Sequence, residues 1–161
     1  MFSLLDQDGR ILTRTTLEGT VWIADFIFTR CAGQCPLMSQ QMATLQEAFA
    51  QMSQVRFVSF SVDPVYDTPA VLAGYAKRYG ARSGRWDFLT GPASTIQQLA
   101  QEGFRLGVAE GASPREPITH SVRLVLVDQR GRIRGYYDAM DHDAVARPQR
   151  DTRRLSRGET S

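Results

Sequence analysis

Val21-Trp22-Ile23-Ala24-Asp25-Phe26-Ile27-Phe28-Thr29-Arg30-Cys31-Ala32-Gly33-Gln34-Cys35-Pro36 carries the reading of the fold. Val21 to Phe28 is rich in β-branched and aromatic residues, broken only by Asp25, and reads as a buried strand. Pro36 then opens a helix expected to run to Met52, because proline in a first helical turn forfeits no hydrogen bond. Met38, Met42, Leu45 and Phe49 fall on one face of it at helical spacing. Two cysteines four residues apart therefore sit at a strand-to-helix junction.

Outward from this junction, strands and helices alternate. Phe2 to Thr13 reads as a hairpin around Gln7-Asp8-Gly9, since Asp-Gly supplies the turn. Val55 to Val62 is the next strand. Thr68 caps a second helix with Pro69 at its first position, and Gly80 ends it after Tyr79. Trp86 to Leu89 is a short strand and Ser94 to Phe104 a third helix. Val122 to Val127 and Ile133 to Tyr137 form a hairpin across Asp128 to Gly131. A last helix is expected from near Asp141, broken or kinked by Pro148, with the tail after about residue 147 irregular. The order implies an α/β sandwich with a mixed central sheet and an N-terminal β-hairpin.

The 161 residues suit a single domain spanning the whole chain, 1–161. A net charge of +2 gives no reason to expect nucleic acid as a partner. No stretch approaches the roughly 20 apolar residues of a transmembrane helix, and the chain starts on foldable sequence rather than a signal peptide. Arg147, Arg150, Arg153, Arg154 and Arg157 cluster near the C-terminus. A solvated face accounts for them most simply, with an anionic lipid or acidic partner as the alternative.

Cys31 and Cys35 are the only cysteines. A bond between residues so close closes almost no loop and adds little stability, so redox or metal chemistry is the expected use. A thiol at a helix start faces the positive end of the helix dipole, which favours thiolate. Cβ atoms four residues apart on a regular helix are about 5–6 Å apart, slightly too wide for a disulfide. Two thiolates can share one ion across that gap, and a cysteine on the loop can also close it. Soft thiolates select Cu(I), zinc or an iron–sulfur cluster, and zinc and clusters normally take four protein ligands. Two cysteines and one histidine are short for structural zinc and sufficient for copper. His120, just before the strand from Val122, lies where active groups of open α/β folds gather. A lone histidine is more often a structural residue than a ligand, and both readings stay open at this point. His142, between Asp141 and Asp143, is expected to be exposed.

Three segments together resemble the Sco/SenC family of copper proteins. They are Asp25-Phe26-Ile27-Phe28-Thr29-Arg30-Cys31 with Cys35-Pro36, Ser61-Val62-Asp63-Pro64 with Asp67-Thr68-Pro69, and Ile118-Thr119-His120-Ser121 leading to Leu126-Val127-Asp128. The resemblance runs from Phe2 to about Tyr137. It implies a thioredoxin-like fold and copper, as Cu(I) or Cu(II), held by Cys31, Cys35 and the distant His120. It also implies a metallochaperone role in assembling the CuA site of cytochrome c oxidase, with subunit II of the oxidase or another copper donor or acceptor protein as partner. Family members usually hang from a membrane on an N-terminal helix, facing the bacterial periplasm or the mitochondrial intermembrane space. That anchor is not in this chain, so a periplasmic location is an expectation from the resemblance alone.

Thioredoxins carry a buried acid six residues before their first cysteine, and Asp25 stands in that relation to Cys31. It is either a proton acceptor for a thiol or a buried carboxyl bound to its neighbours. Asp63 and Asp67 read as turn and cap residues, with a weak extra Cu(II) ligand as the lesser alternative. Met38 and Met42 read as core. The competing function is a thiol–disulfide oxidoreductase that uses Cys31 and Cys35 as a redox pair to reduce the target's cysteines and has no need of His120. A thiol peroxidase ranks third, because Thr29 stands one residue too close to Cys31.

Overall fold

The structure is a computed structural model that describes residues 2–30, 33, 35–104 and 122–158. Cys31 and His120 lie outside the described residues. The central strand β3 (Val21–Ile27) is buried along its whole length. It pairs in parallel with β4 (Val55–Ser61), which pairs in parallel with β5 (Trp86–Leu89). On its other side β3 pairs antiparallel with β6 (Arg123–Val127), which forms a hairpin with β7 (Ile133–Asp138). The sheet order is β5-β4-β3-β6-β7, the mixed sheet expected from the alternation of elements. A strand covered on both faces needs apolar residues at every position, which explains the near-continuous run from Val21.

The two faces of β3 feed two cores. Val21, Ile23 and Ile27 pack with Met38, Met42 and Leu45 of α2 (Cys35–Ala48) and Leu72 and Tyr75 of α3 (Pro69–Arg78). Leu155 of α5 (Ala146–Ser156) joins them. Trp22, Ala24 and Phe26 pack instead against Phe2, Leu4 and Leu12 of the N-terminal hairpin and against Ile96, Ala100 and Phe104. That hairpin, β1 (Ser3–Leu5) and β2 (Ile11–Thr13), turns at Gly9 with φ of 78°. It docks on the sheet edge through paired backbone bonds of 2.9 Å between Leu5 and Thr90. Met38 and Met42 are fully buried, as their helical stripe predicts.

Four local readings change. A short helix, α1 (Arg14–Leu17), follows β2 and is closed by reciprocal contacts of Thr13 and Thr16. α2 ends at Ala48 rather than Met52, because the Arg85 guanidinium draws the carbonyls of Phe49, Ala50 and Met52 to itself. The third helix is α4 (Ala93–Gln98) continued by a wide turn over Leu99–Gly103, closed by a 2.8 Å bond from Phe104 N to Leu99 O. The widened turn brings the Phe104 ring against Trp22, Phe26 and Phe60.

The fourth change concerns the tail, which is neither irregular nor broken at Pro148. α5 runs eleven residues, and Pro148 falls at its third position. N–H groups in a first turn have no intrahelical acceptor, so proline starts this helix instead of interrupting it.

Candidate metal centre

Cys35 is the first residue of α2 and fully buried. The first turn of α2 carries no acidic residue, so no carboxylate competes for the positive end of its dipole. The sequence-derived partners Cys31 and His120 lie outside the described residues.

Asp25 sits in the middle of β3, facing the same core as α2, and its side chain is fully buried. The Ser59 hydroxyl donates to its Oδ1 at 2.5 Å, and the Trp86 indole donates to Ser59 Oγ at 3.0 Å. Oδ2 has no hydrogen-bond partner among the described residues. Burial pushes the Asp25 carboxyl up to about 7, against the smaller opposing effect of the Ser59 bond. Nearby, Tyr75 Oη and Ser39 Oγ are 2.7 Å apart. Burial raises the Tyr75 phenol far above its ordinary value, and the Ser39 bond opposes it. Tyr79, Asp25 and Cys35 act on the phenol in the same direction as burial. Cys35 and Tyr75 lie in the same buried core, which Asp25 faces from β3.

A second set of contacts holds Thr29 and Arg30, the residues before Cys31 in sequence. Asp67 is fully buried and accepts from Thr29 N at 3.1 Å, from the Thr29 hydroxyl, and from Ser61 Oγ at 2.7 Å. Arg30, the residue before Cys31, donates to Asp63 at 2.7 and 3.1 Å and lies 4.2 Å from the centre of the Tyr66 ring. The turn reading of Asp63 holds, since Asp67 N bonds back to Asp63 O at 2.9 Å. The cap reading of Asp67 does not. Thr68 is the cap, accepting from Val71 N at 3.3 Å, whereas Asp67 turns inward and ties the end of β3 to the end of β4. Both carboxylates are engaged with the protein, which argues against either as a copper ligand. His142 is exposed, as expected.

Sequence reasoning gives Ser59, Ser61 and Trp86 no role at the site. The signal was present in β4, where Val55, Phe57, Ser59 and Ser61 alternate onto one face. That face is apolar at its start and polar toward its end. Register places Ser59 opposite Asp25 and Ser61 opposite Ile27.

The SCO1/SenC family model matches residues 1–153. The chain belongs to the SCO1/SenC family. A SCO1 protein homolog of Bacillus subtilis (strain 168) is 35% identical over 143 residues, covering 88% of this chain and 74% of the relative. The structure of a SCO1/SenC family lipoprotein from Bacillus anthracis str. Ames superposes with a TM-score of 0.88 at 32% identity, covering 96% of this chain and 92% of the other. BsSco, described as a Sco family cytochrome c oxidase assembly protein with a disulfide switch, gives 0.83 at 34% identity, covering 97% and 91%. Arabidopsis thaliana ScoI, solved with copper bound, gives 0.80 at 25% identity, covering 98% and 96%. The fold of this family member is accordingly thioredoxin-like.

Proposed function

We propose that the protein binds one copper ion through the thiolates of Cys31 and Cys35 and the imidazole of His120. It then passes the ion on during assembly of the CuA site of cytochrome c oxidase. The observation that carries the reading is Cys35, a buried thiol at the first residue of a 14-residue helix with no carboxylate in its first turn. Thr29 and Arg30, the two residues before Cys31 in sequence, are held by Asp67 and Asp63. Two thiolates and an imidazole suit copper better than structural zinc, which takes four protein ligands. Subunit II of the oxidase, or another copper donor or acceptor protein, is the partner this reading assigns. The B. anthracis relative is a lipoprotein, which supports work at a membrane surface, on the periplasmic side in a bacterium. No helix among the described residues is long and apolar enough to cross a membrane.

The buried Asp25 group favours a second reading, thiol–disulfide exchange with the target's cysteines. A carboxyl near 7 can take up or release a proton as a nearby thiol changes state. The two readings share the cysteine pair. On oxidation the two thiols become one disulfide, and two protons and two electrons pass to the oxidant. Diamide-treated protein is expected to be monomeric, two mass units lighter than the reduced form, and unable to bind Cu(I) tightly. Intact-mass measurement followed by Cu(I) titration checks this. Oxidised protein that is mainly an intermolecular dimer, or that binds Cu(I) as tightly as the reduced form, contradicts the shared site.

A further inference from the structure

The C-terminal helix carries a charge pattern that copper handling does not use. Arg147, Arg150, Arg153, Arg154 and Arg157 are all exposed. At about 100° per residue they fall within an arc of about 120°, along about 15 Å of helix. Pro148, Thr152 and Leu155, the buried residues of α5, lie on the opposite side. The whole chain has a net charge of +2, so with these five arginines set aside the remainder carries 2 − 5 = −3. The only carboxylate in α5, Asp151, is engaged by the Tyr137 hydroxyl at 2.6 Å and by Arg150 at 3.3 Å. Arg147 and Arg153 lie against the Tyr137 and Phe49 rings, at 5.8 and 5.5 Å from their centres.

The helix dipole does not account for this stripe. Arg153, Arg154 and Arg157 sit at the C-terminal end, where cations are favoured, but Arg147 sits in the first turn, where they are not, and Arg150 in the middle, where the dipole has little effect. Like charges three and four residues apart also repel along the helix. A polyanion relieves that repulsion. None of the described exposed large apolar side chains lies on α5, so the face lacks the aromatic or aliphatic anchors of a protein–protein interface core. Guanidinium groups pair well with phosphate oxygens. The B. anthracis relative is a lipoprotein, and a single lipid chain alone gives only marginal membrane binding, which a basic patch strengthens.

From these observations we infer that the arginine face of α5 docks on anionic phospholipid headgroups. The inference rests on the charge pattern and family membership, and copper binding is read separately in its test. The probes are phosphatidylcholine vesicles, phosphatidylcholine–phosphatidylglycerol vesicles, poly-glutamate and duplex DNA, offered to the chain at low salt. Sedimentation is expected with the anionic vesicles only, weakening as salt rises. Arg150→Gln, Arg154→Gln and Arg157→Gln combined are expected to lower partitioning about a hundredfold, from about one kcal/mol per surface arginine. The variant should stay folded by circular dichroism, and its copper stoichiometry should stay unchanged. Equal sedimentation with both vesicle types, none with either, wild-type partitioning by the triple variant, or tighter binding of poly-glutamate or DNA than of anionic vesicles overturns the inference.

Discussion

Serine in place of Cys35, or of Cys31, is expected to abolish tight Cu(I) binding by the reduced protein. Each substitution removes one of only two soft donors, and a hydroxyl is a poor ligand for Cu(I). The loss should exceed the ~10–100-fold that follows from removing an outer-shell partner. Asp67→Asn supplies the comparison. It disturbs the acceptor of Thr29 N–H, the Thr29 hydroxyl and Ser61, two residues from Cys31, and leaves both thiols in place. Its affinity loss should fall within the outer-shell range. Competition against a chromophoric Cu(I) chelator, on protein shown to be folded by circular dichroism, measures both. Cys35 is fully buried, so Cys31→Ser guards against a folding defect in Cys35→Ser. Stoichiometric, undiminished binding by the double serine variant contradicts the assignment.

Asp25→Asn is expected to change how stability depends on pH. The folded protein holds the Asp25 proton up to about 7, whereas the unfolded chain releases it near the ordinary 3.8. Between those values the native state binds more protons than the unfolded state, so this group makes stability fall as pH rises. The contribution is fully favourable below about 4 and lost above about 7. Its span is on the order of 4 kcal/mol, from a little over three pKa units at 1.36 kcal/mol each. Asparagine cannot ionise, and its amide oxygen can still accept from Ser59, but its NH2 donors enter a buried site. The variant should therefore be more stable than wild type at pH 8 and lose that advantage by pH 4. For a domain of this size each kcal/mol moves Tm by roughly 2–4 °C. Melting curves of both apo proteins across that range measure the difference. Parallel pH profiles contradict a buried, proton-holding Asp25.

Much of the architecture was readable because it follows from local periodicity. The continuous apolar run of β3, the Thr68-Pro69 cap and the Asp-Gly turn each produced the element they indicate. The failures have tertiary causes. The end of α2 is set by Arg85, which lies 33 to 36 residues away in sequence from the carbonyls it binds. Pro148 was misjudged because its effect depends on whether it stands inside a helix or at its start. The candidate site is read from the residue types at Cys31 and Cys35. The support around it is less legible, since Asp67 reads as a cap residue until the strand register brings Thr29 and Ser61 to it. The polar end of β4 was visible as an alternation, but only the register opposite β3 gives Ser59 its partner in Asp25.

The central claim, copper shared by two cysteines and a distant histidine, is tested most directly on His120. Cu(I) can persist on two thiolates, whereas Cu(II) prefers a tetragonal set that includes nitrogen. Electron paramagnetic resonance of Cu(II)-loaded protein should show nitrogen coupling alongside the signature of sulfur ligation. In His120→Ala the nitrogen coupling and tight Cu(II) binding should disappear, while Cu(I) binding falls less and the cysteine pair still oxidises to its disulfide. A His120→Ala variant that keeps the wild-type Cu(II) spectrum and affinity contradicts the three-residue site and leaves the thiol–disulfide reading in its place.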